Sequence, residues 1–143
     1  MGLWQLCKEG DLEGVRRALG RGEDVNGVDG EGGTGLMWAV VKKHNSLVRL
    51  LLQQPGIDVN YQDTDGWTAL YWSVIGDNPE GLRLLLAHPR MGSINTTTNS
   101  GHTPLMVAVR HGKLSCVVEL VRREGVDLDT RDRQGRSLEE VAR

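Results

Sequence analysis

The sequence predicts an all-α protein built as a solenoid of stacked turn-helix-loop-helix units, and three observations predict it. Thr34, Thr68, Thr103 and Ser137 open apolar stretches at spacings of 34, 35 and 34 residues. Other residues keep a constant phase to these four. A Gly stands two positions earlier (Gly32, Gly66, Gly101, Gly135), and a Leu two later in the first three units (Leu36, Leu70, Leu105). A small residue falls five later (Ala39, Ser73, Ala108, Ala142) and an aliphatic nine before (Val25, Val59, Ile94, Leu128). Behind each of the first three stretches lies another with apolar residues at helical spacing: Leu47, Val48, Leu51, Leu52, then Leu82, Leu85, Leu86, then Cys116, Val117, Leu120, Val121. A period of this length marks units that bury their apolar faces against one another.

The elements follow in order. From Leu3 to Asn26 the chain reads as an abbreviated opening unit, with Gly10 ending one helix, Trp4 a structural plug on it, and Val15, Ala18 and Leu19 the inward stripe of the next. In the later units Asp29, Asp63 and Asp132 are placed to hold a turn through side-chain-to-backbone bonds, and the phased Gly supplies the positive φ that reverses the chain. The Thr or Ser hydroxyl then caps the first helix, with Pro104 at a position where a missing N–H costs nothing. Trp38 and Trp72, both four beyond the cap, are expected to pack as neighbouring layers of the core. Gly81 replaces an inward aliphatic, which lowers helix propensity and leaves less packing. Ser137-Leu138-Glu139-Glu140 forms a capping box for one more helix, and the sequence stops at Arg143 before a second. That half unit is expected to fray and to leave Val117 and Val121 partly uncovered, as in a fragment of a longer polypeptide.

Composition narrows the function classes. A length of 143 residues suits one domain with a real core. A net charge of -2 gives no overall basic field for nucleic acid or an anionic membrane. Charge arrives by Lys8, before a signal peptide's apolar core could form, and Leu50-Leu51-Leu52 is the longest aliphatic run. An intracellular monomer, cytoplasmic or nuclear, is therefore expected. Cys7 and Cys116 are too few and too far apart for a disulfide framework and read as reduced, buried thiols. Asn95-Thr96-Thr97 matches a glycosylation acceptor by chance in a chain without a secretory route.

No motif carries catalytic, cofactor or metal chemistry. Gly30-Glu31-Gly32-Gly33-Thr34-Gly35 has the form G-x-G-x-x-G, but the preceding Val25-Asn26-Gly27-Val28-Asp29 is polar where a dinucleotide site needs a buried strand. His44, His88, His102 and His111 lie in different units without metal-ligand spacing, and neither Cys has an activating His beside it. The turn residues Asp29, Glu31, Asp63 and Asp65 are acidic, whereas Arg122, Arg123, Arg131, Arg133 and Arg136 make the C-terminal part basic. Two readings stand: a solvated face, or a gradient that orients a partner of opposite polarity.

Asp63-Thr64-Asp65-Gly66-Trp67-Thr68-Ala69-Leu70 and Gly101-His102-Thr103-Pro104-Leu105-Met106-Val107-Ala108 resemble the D-x-x-G-x-T-P-L-H-x-A pattern of ankyrin repeats. The resemblance spans nearly the whole chain as a single domain, 1–143: an N-terminal capping repeat at 1–26, full repeats at 27–60, 61–95 and 96–129, and a truncated repeat at 130–143. There are departures. The pattern's His is Met37, Tyr71 and Met106, and its turn Asp is Thr98 in the third full repeat, so local hydrogen bonds are expected to be missing and that turn to be softer.

The resemblance implies a non-enzymatic module that binds another protein, without cofactor or metal, through its turn tips and first helices. Position by position, the partner-binding residues would be Glu31, Lys42, Asp65, Trp67, Ile75, His102, Arg110, His111, Arg133 and Arg136. Trp67 sits in a turn where such proteins point side chains outward, and is expected to be the most accessible of the four Trp; binding and structural roles both remain open for it. Two alternatives to a general binding module are a stand-alone stoichiometric enzyme inhibitor and a substrate for Asn hydroxylation at Asn60, since the loop from Leu52 to Asn60 is similar to loops modified in that way.

Overall fold

The computed structural model describes residues 2–142; Met1 and Arg143, the ends of the expected domain, lie outside the described residues. Among the described residues nine helices form, α1 (Leu3–Glu9), α2 (Leu12–Gly20), α3 (Gly35–Val41), α4 (Asn45–Leu52), α5 (Ala69–Ile75), α6 (Pro79–Leu86), α7 (Pro104–Arg110), α8 (Leu114–Val121) and α9 (Leu138–Val141). The described residues contain no strand, only an isolated bridge between Val28 and Thr34. The odd-numbered helices pack in succession as one row, α4, α6 and α8 as a second, and α1, α3, α5 and α7 each lie against the helix that follows. This is an all-α repeat solenoid, as the period predicts.

Each turn is built by one side chain. Asp29 Oδ1 accepts from the backbone N–H groups of Glu31 and Gly33, both at 2.8 Å. Asp63 Oδ1 accepts from Asp65 and Trp67 at 3.0 and 2.9 Å, and Asp132 Oδ1 from Gln134 and Arg136, both at 2.9 Å. The third turn corrects an expectation. Thr98 Oγ1 accepts from the matching N–H groups of Ser100 and His102 at 3.2 and 3.3 Å, so the bonds persist at greater length. Successive turns also join, Thr64 N–H to the Glu31 carbonyl and Asn99 N–H to the Asp65 carbonyl, each at 3.1 Å. Gly32 serves both demands, with φ of 81° and the backbone of Asp63 and Thr64 so close that a Cβ would meet it at 3.2 Å.

Thr34 and Thr103 cap α3 and α7 as expected, each accepting an N–H at 3.2 Å, and Ser137 with Glu140 completes a capping box on α9. Thr68 makes no such bond. The entry to α5 is held instead by Trp67, which precedes the cap position and packs on Trp72 one turn into the helix, ring centroids 5.1 Å apart. This pairing is a hydrophobic staple.

The core runs the length of the stack through Val15, Leu36, Val48, Leu51, Leu70, Leu82, Leu85 and Leu120. Gly81, expected to leave less packing, leaves no gap. Beside Gly81 lies the buried amide of Asn78, so close that a Cβ would meet Asn78 Nδ2 at 2.4 Å; the missing side chain makes room for this amide. Asn78 Nδ2 donates to the Val40 carbonyl and to Asn45 Oδ1, at 3.0 and 2.8 Å, while its Oδ1 accepts from Gly81 N–H and Asn45 Nδ2, at 3.0 and 3.1 Å. The buried Tyr71 hydroxyl reaches the carbonyls of Thr96 and His102 in the next unit, and Met37 Sδ accepts the Thr34 N–H at 3.4 Å. At Gly81, Tyr71 and Met37 polar links thus replace those the departures seemed to remove, whereas the Met106 sulfur makes none among the described residues.

At the loop end of the units, Asn26, Asn60 and Asn95 form a repeated fork. Each amide nitrogen donates to a carbonyl of the next loop (Gly56, Arg90, Gly125) at 2.7–2.8 Å, and each amide oxygen accepts from Asp58, Gly92 or Asp127 N–H at 2.8 Å. The outer face of α8 is open, with Leu114, Val118 and Val121 76%, 42% and 43% exposed, while Val117 is half-buried. Leu128, whose phase matches buried Val59, is 57% exposed.

Candidate partner-binding face

The ten residues singled out by the sequence lie on the turns and at the first-helix ends. Glu31, Lys42, Asp65, Arg110, His111 and Arg133 are exposed, whereas Trp67, Ile75, His102 and Arg136 are half-buried. His102, Arg110, Arg133 and Arg136 come together around one cavity of about 460 Å³, with Ser100, Asp132 and Gln134 completing its lining. Lys42, Asp65, Ile75 and His111 do not enter it, and Glu31 lines a different cavity.

The basic cavity is held by a buried carboxylate. Asp132 uses Oδ1 for its turn and Oδ2 for Arg136 Nε at 2.7 Å, with His102 Nε2 4.0 Å away. Arg110 and Arg133 have no ion-pair partner among the described residues, so two of the three arginines remain available to an anion. Burial lowers the His102 pKa below the ordinary histidine value; Asp132 opposes this and the charges of Arg110 and Arg136 add to it. The folded protein therefore takes up a proton at His102 less readily than the unfolded chain. Stability from this site is full above the ordinary histidine pKa and falls as pH drops through it towards the folded value. The urea midpoint should fall on acidification across this window, and fall less in His102→Gln; an identical fall in both proteins would exclude the effect.

A second cavity, of about 100 Å³, opens between α3 and α5 and is lined by Asp29, Glu31, Gly33, Met37, Trp38, Val41, Asp63 and Trp72. Trp38 Nε1 donates to Asp29 Oδ2 at 2.9 Å and Trp72 Nε1 to Asp63 Oδ2 at 3.0 Å, the same arrangement in adjacent units. Burial alone would raise the Asp29 carboxyl. The N–H groups of Gly33 and Glu31, the Trp38 indole and the Lys8 ammonium outweigh it and hold the carboxyl below its usual value. Trp38 and Trp72 thus pack against the core in neighbouring layers, as their phase predicts, but only half-buried, so that they also wall a cleft. The signal was present as an Asp nine residues before a Trp in two successive units, where the third unit has Thr98 and Val107.

Trp67 makes structural contacts of its own. It is half-buried, as are the other three Trp, and besides the staple with Trp72 it packs on Tyr71 with centroids 5.5 Å apart. The turn does place a packing demand on this indole, so its removal would disturb the start of α5 as well as any interface. Trp4 stacks on Trp38, centroids 6.3 Å apart, consistent with a plug at the first unit.

The opposite side has a different character. Arg49 pairs with Glu80, and Arg83 Nη2 lies 2.7 Å from Glu119 Oε1, so cations of α4 and α6 are engaged by the following unit. Cys7 and Cys116 are buried, and burial pushes their thiols up to about 12 and about 11, far from reactive thiolates. Among the described residues no group of His, Cys, Asp or Glu is arranged to hold a metal ion, and no helix is long and apolar enough to cross a membrane.

A family model described as ankyrin repeats (3 copies) matches residues 3–97 and 55–132. The chain belongs to the ankyrin-repeat family. None of the curated proteins compared with it matches. Ankyrin repeats generally mediate protein–protein interaction and are typically non-enzymatic.

Proposed function

We propose that this protein binds a partner protein through the face made by its turns and first helices. The observation that carries this reading is the convergence of His102, Arg110, Arg133 and Arg136 on one cavity while the Trp38–Trp72 cleft, rimmed by carboxylates, occupies the same row of turns and helices two units earlier. A face with an acidic aromatic end and a basic end orients a charged partner and speeds its encounter. The candidates used in the test are Arg110 and Arg133, since Arg side chains dominate many interface energies and these two have no internal ion pair to lose.

The test is a pull-down from cell extract followed by affinity measurement on any partner lost by an Arg110→Gln, Arg133→Gln variant. Each substitution should weaken that partner by about 1–3 kcal/mol. Arg49→Ala and Arg83→Ala serve as controls; each breaks an ion pair on the second-helix side, and affinity should stay unchanged. Loss through the controls with no effect of Arg110 and Arg133 would move the site to the second-helix side. A hydroxylation site at Asn60 fits less well, because the fold already ties this amide to Arg90 and Gly92.

A further inference from the structure

We infer that the cleft between Trp38 and Trp72 receives a cationic side chain of the partner, arginine in preference to lysine; this rests on the proposed binding face and specifies the chemistry of one end of it. The cleft has the walls for it. Two indoles line a space of about 100 Å³, enough for the end of one side chain and too small for a folded element. Their N–H edges are tied to Asp29 and Asp63, which fixes the ring orientation; Trp4 and Lys8 pack on Trp38 and Trp67 on Trp72 from outside the cleft, and the cleft meets the ring surface that remains. An arginine offers an aliphatic stem to such walls and a planar guanidinium that stacks on indole and hydrogen-bonds carboxylate.

The charge agrees with the shape. Asp29, Glu31 and Asp63 all line the cleft, and none has an ion-pair partner among the described residues. One of these indoles already takes a cation of the protein's own, from outside the cleft: Lys8 Nζ lies 4.6 Å from the centroid of the Trp38 ring. An apolar occupant would leave Glu31 and Asp63 without a counter-charge and Asp29 with Lys8 alone, and an anionic one would be repelled.

The test uses three short peptides, acetylated and amidated, that are identical except for a central arginine, citrulline or norleucine. They are titrated into the whole protein at low salt while the indole N–H resonances of Trp38 and Trp72 are followed. The arginine peptide should shift both resonances saturably, and citrulline, which keeps the shape and loses the charge, should bind about fivefold or more weakly. Glu31→Gln, whose side chain makes none of the turn bonds, should weaken the arginine peptide and leave the citrulline peptide unaffected. Equal binding of the arginine and norleucine peptides, or no saturable shift with the arginine peptide up to its solubility limit, would overturn the inference. The titration decides the cleft alone, whereas the footprint of a whole partner decides the face, so the two readings can fail separately.

Discussion

Replacing Asn78 with alanine should lower the stability by about 2–4 kcal/mol, read as a fall in the urea midpoint at unchanged slope. The size follows from position. Asn78 is 3% exposed, and its amide joins α3, α4 and α6 through four hydrogen bonds, so its loss leaves Asn45 Oδ1 and the Gly81 N–H without a partner inside the protein, while Asn45 Nδ2 keeps Glu80. A second substitution isolates the cause. Gly81→Ala should destabilise the wild type, because its Cβ would strike the Asn78 amide, yet should stabilise Asn78→Ala, where the amide is gone and alanine favours the helix by about 1 kcal/mol. Equal effects of Gly81→Ala in both backgrounds would show that the glycine has another purpose.

Tyr71→Phe should cost about 1–2 kcal/mol although it removes a single oxygen. The ring stays and the core keeps its volume. What disappears is the link from α5 to the third turn, where the hydroxyl meets the Thr96 and His102 carbonyls. The His102 carbonyl retains the Thr98 N–H at 2.9 Å, so the cost should fall mainly on Thr96. Hydrogen exchange should accelerate around residues 96–103 in the variant and stay unchanged in α1 and α2. Uniform acceleration would mean that the bond supports the whole stack rather than one junction.

The period was fully legible because it rests on backbone demands. A positive φ at Gly32, Gly66, Gly101 and Gly135 and helix starts at a fixed distance from them leave the same residues in every unit. What the sequence concealed depends on contacts between units. Gly81 looks like a defect until Asn78 is seen to fill its place, and Thr98 looks like a lost turn residue although its hydroxyl can make the same two bonds as a carboxylate. The Asn fork was readable in principle, since Asn26, Asn60 and Asn95 each follow the phased aliphatic by one position. A lone loop Asn, however, does not announce that its partner lies one unit on.

The candidate face was legible in part for the same reason. Four of the chosen residues share a cavity because turn tips at equal phase are neighbours in a stack, which the spacing alone implies. The Trp38–Trp72 cleft escaped because helical phase tells which way a side chain starts and not whether another layer covers it. Trp67 shows the converse. A turn position suggests exposure, but an indole there can fold back onto the helix it precedes, as it does against Trp72.

The central claim, that a partner protein seats on the turns and first helices, is tested most directly by hydrogen exchange of the chain with and without a bound partner. The account predicts protection at the turns around residues 29–34, 63–68, 98–103 and 132–137 and at the ends of α3, α5 and α7, with α4, α6 and α8 unchanged. Protection confined to α4, α6 and α8, with the four turns exchanging as in the free protein, would contradict it.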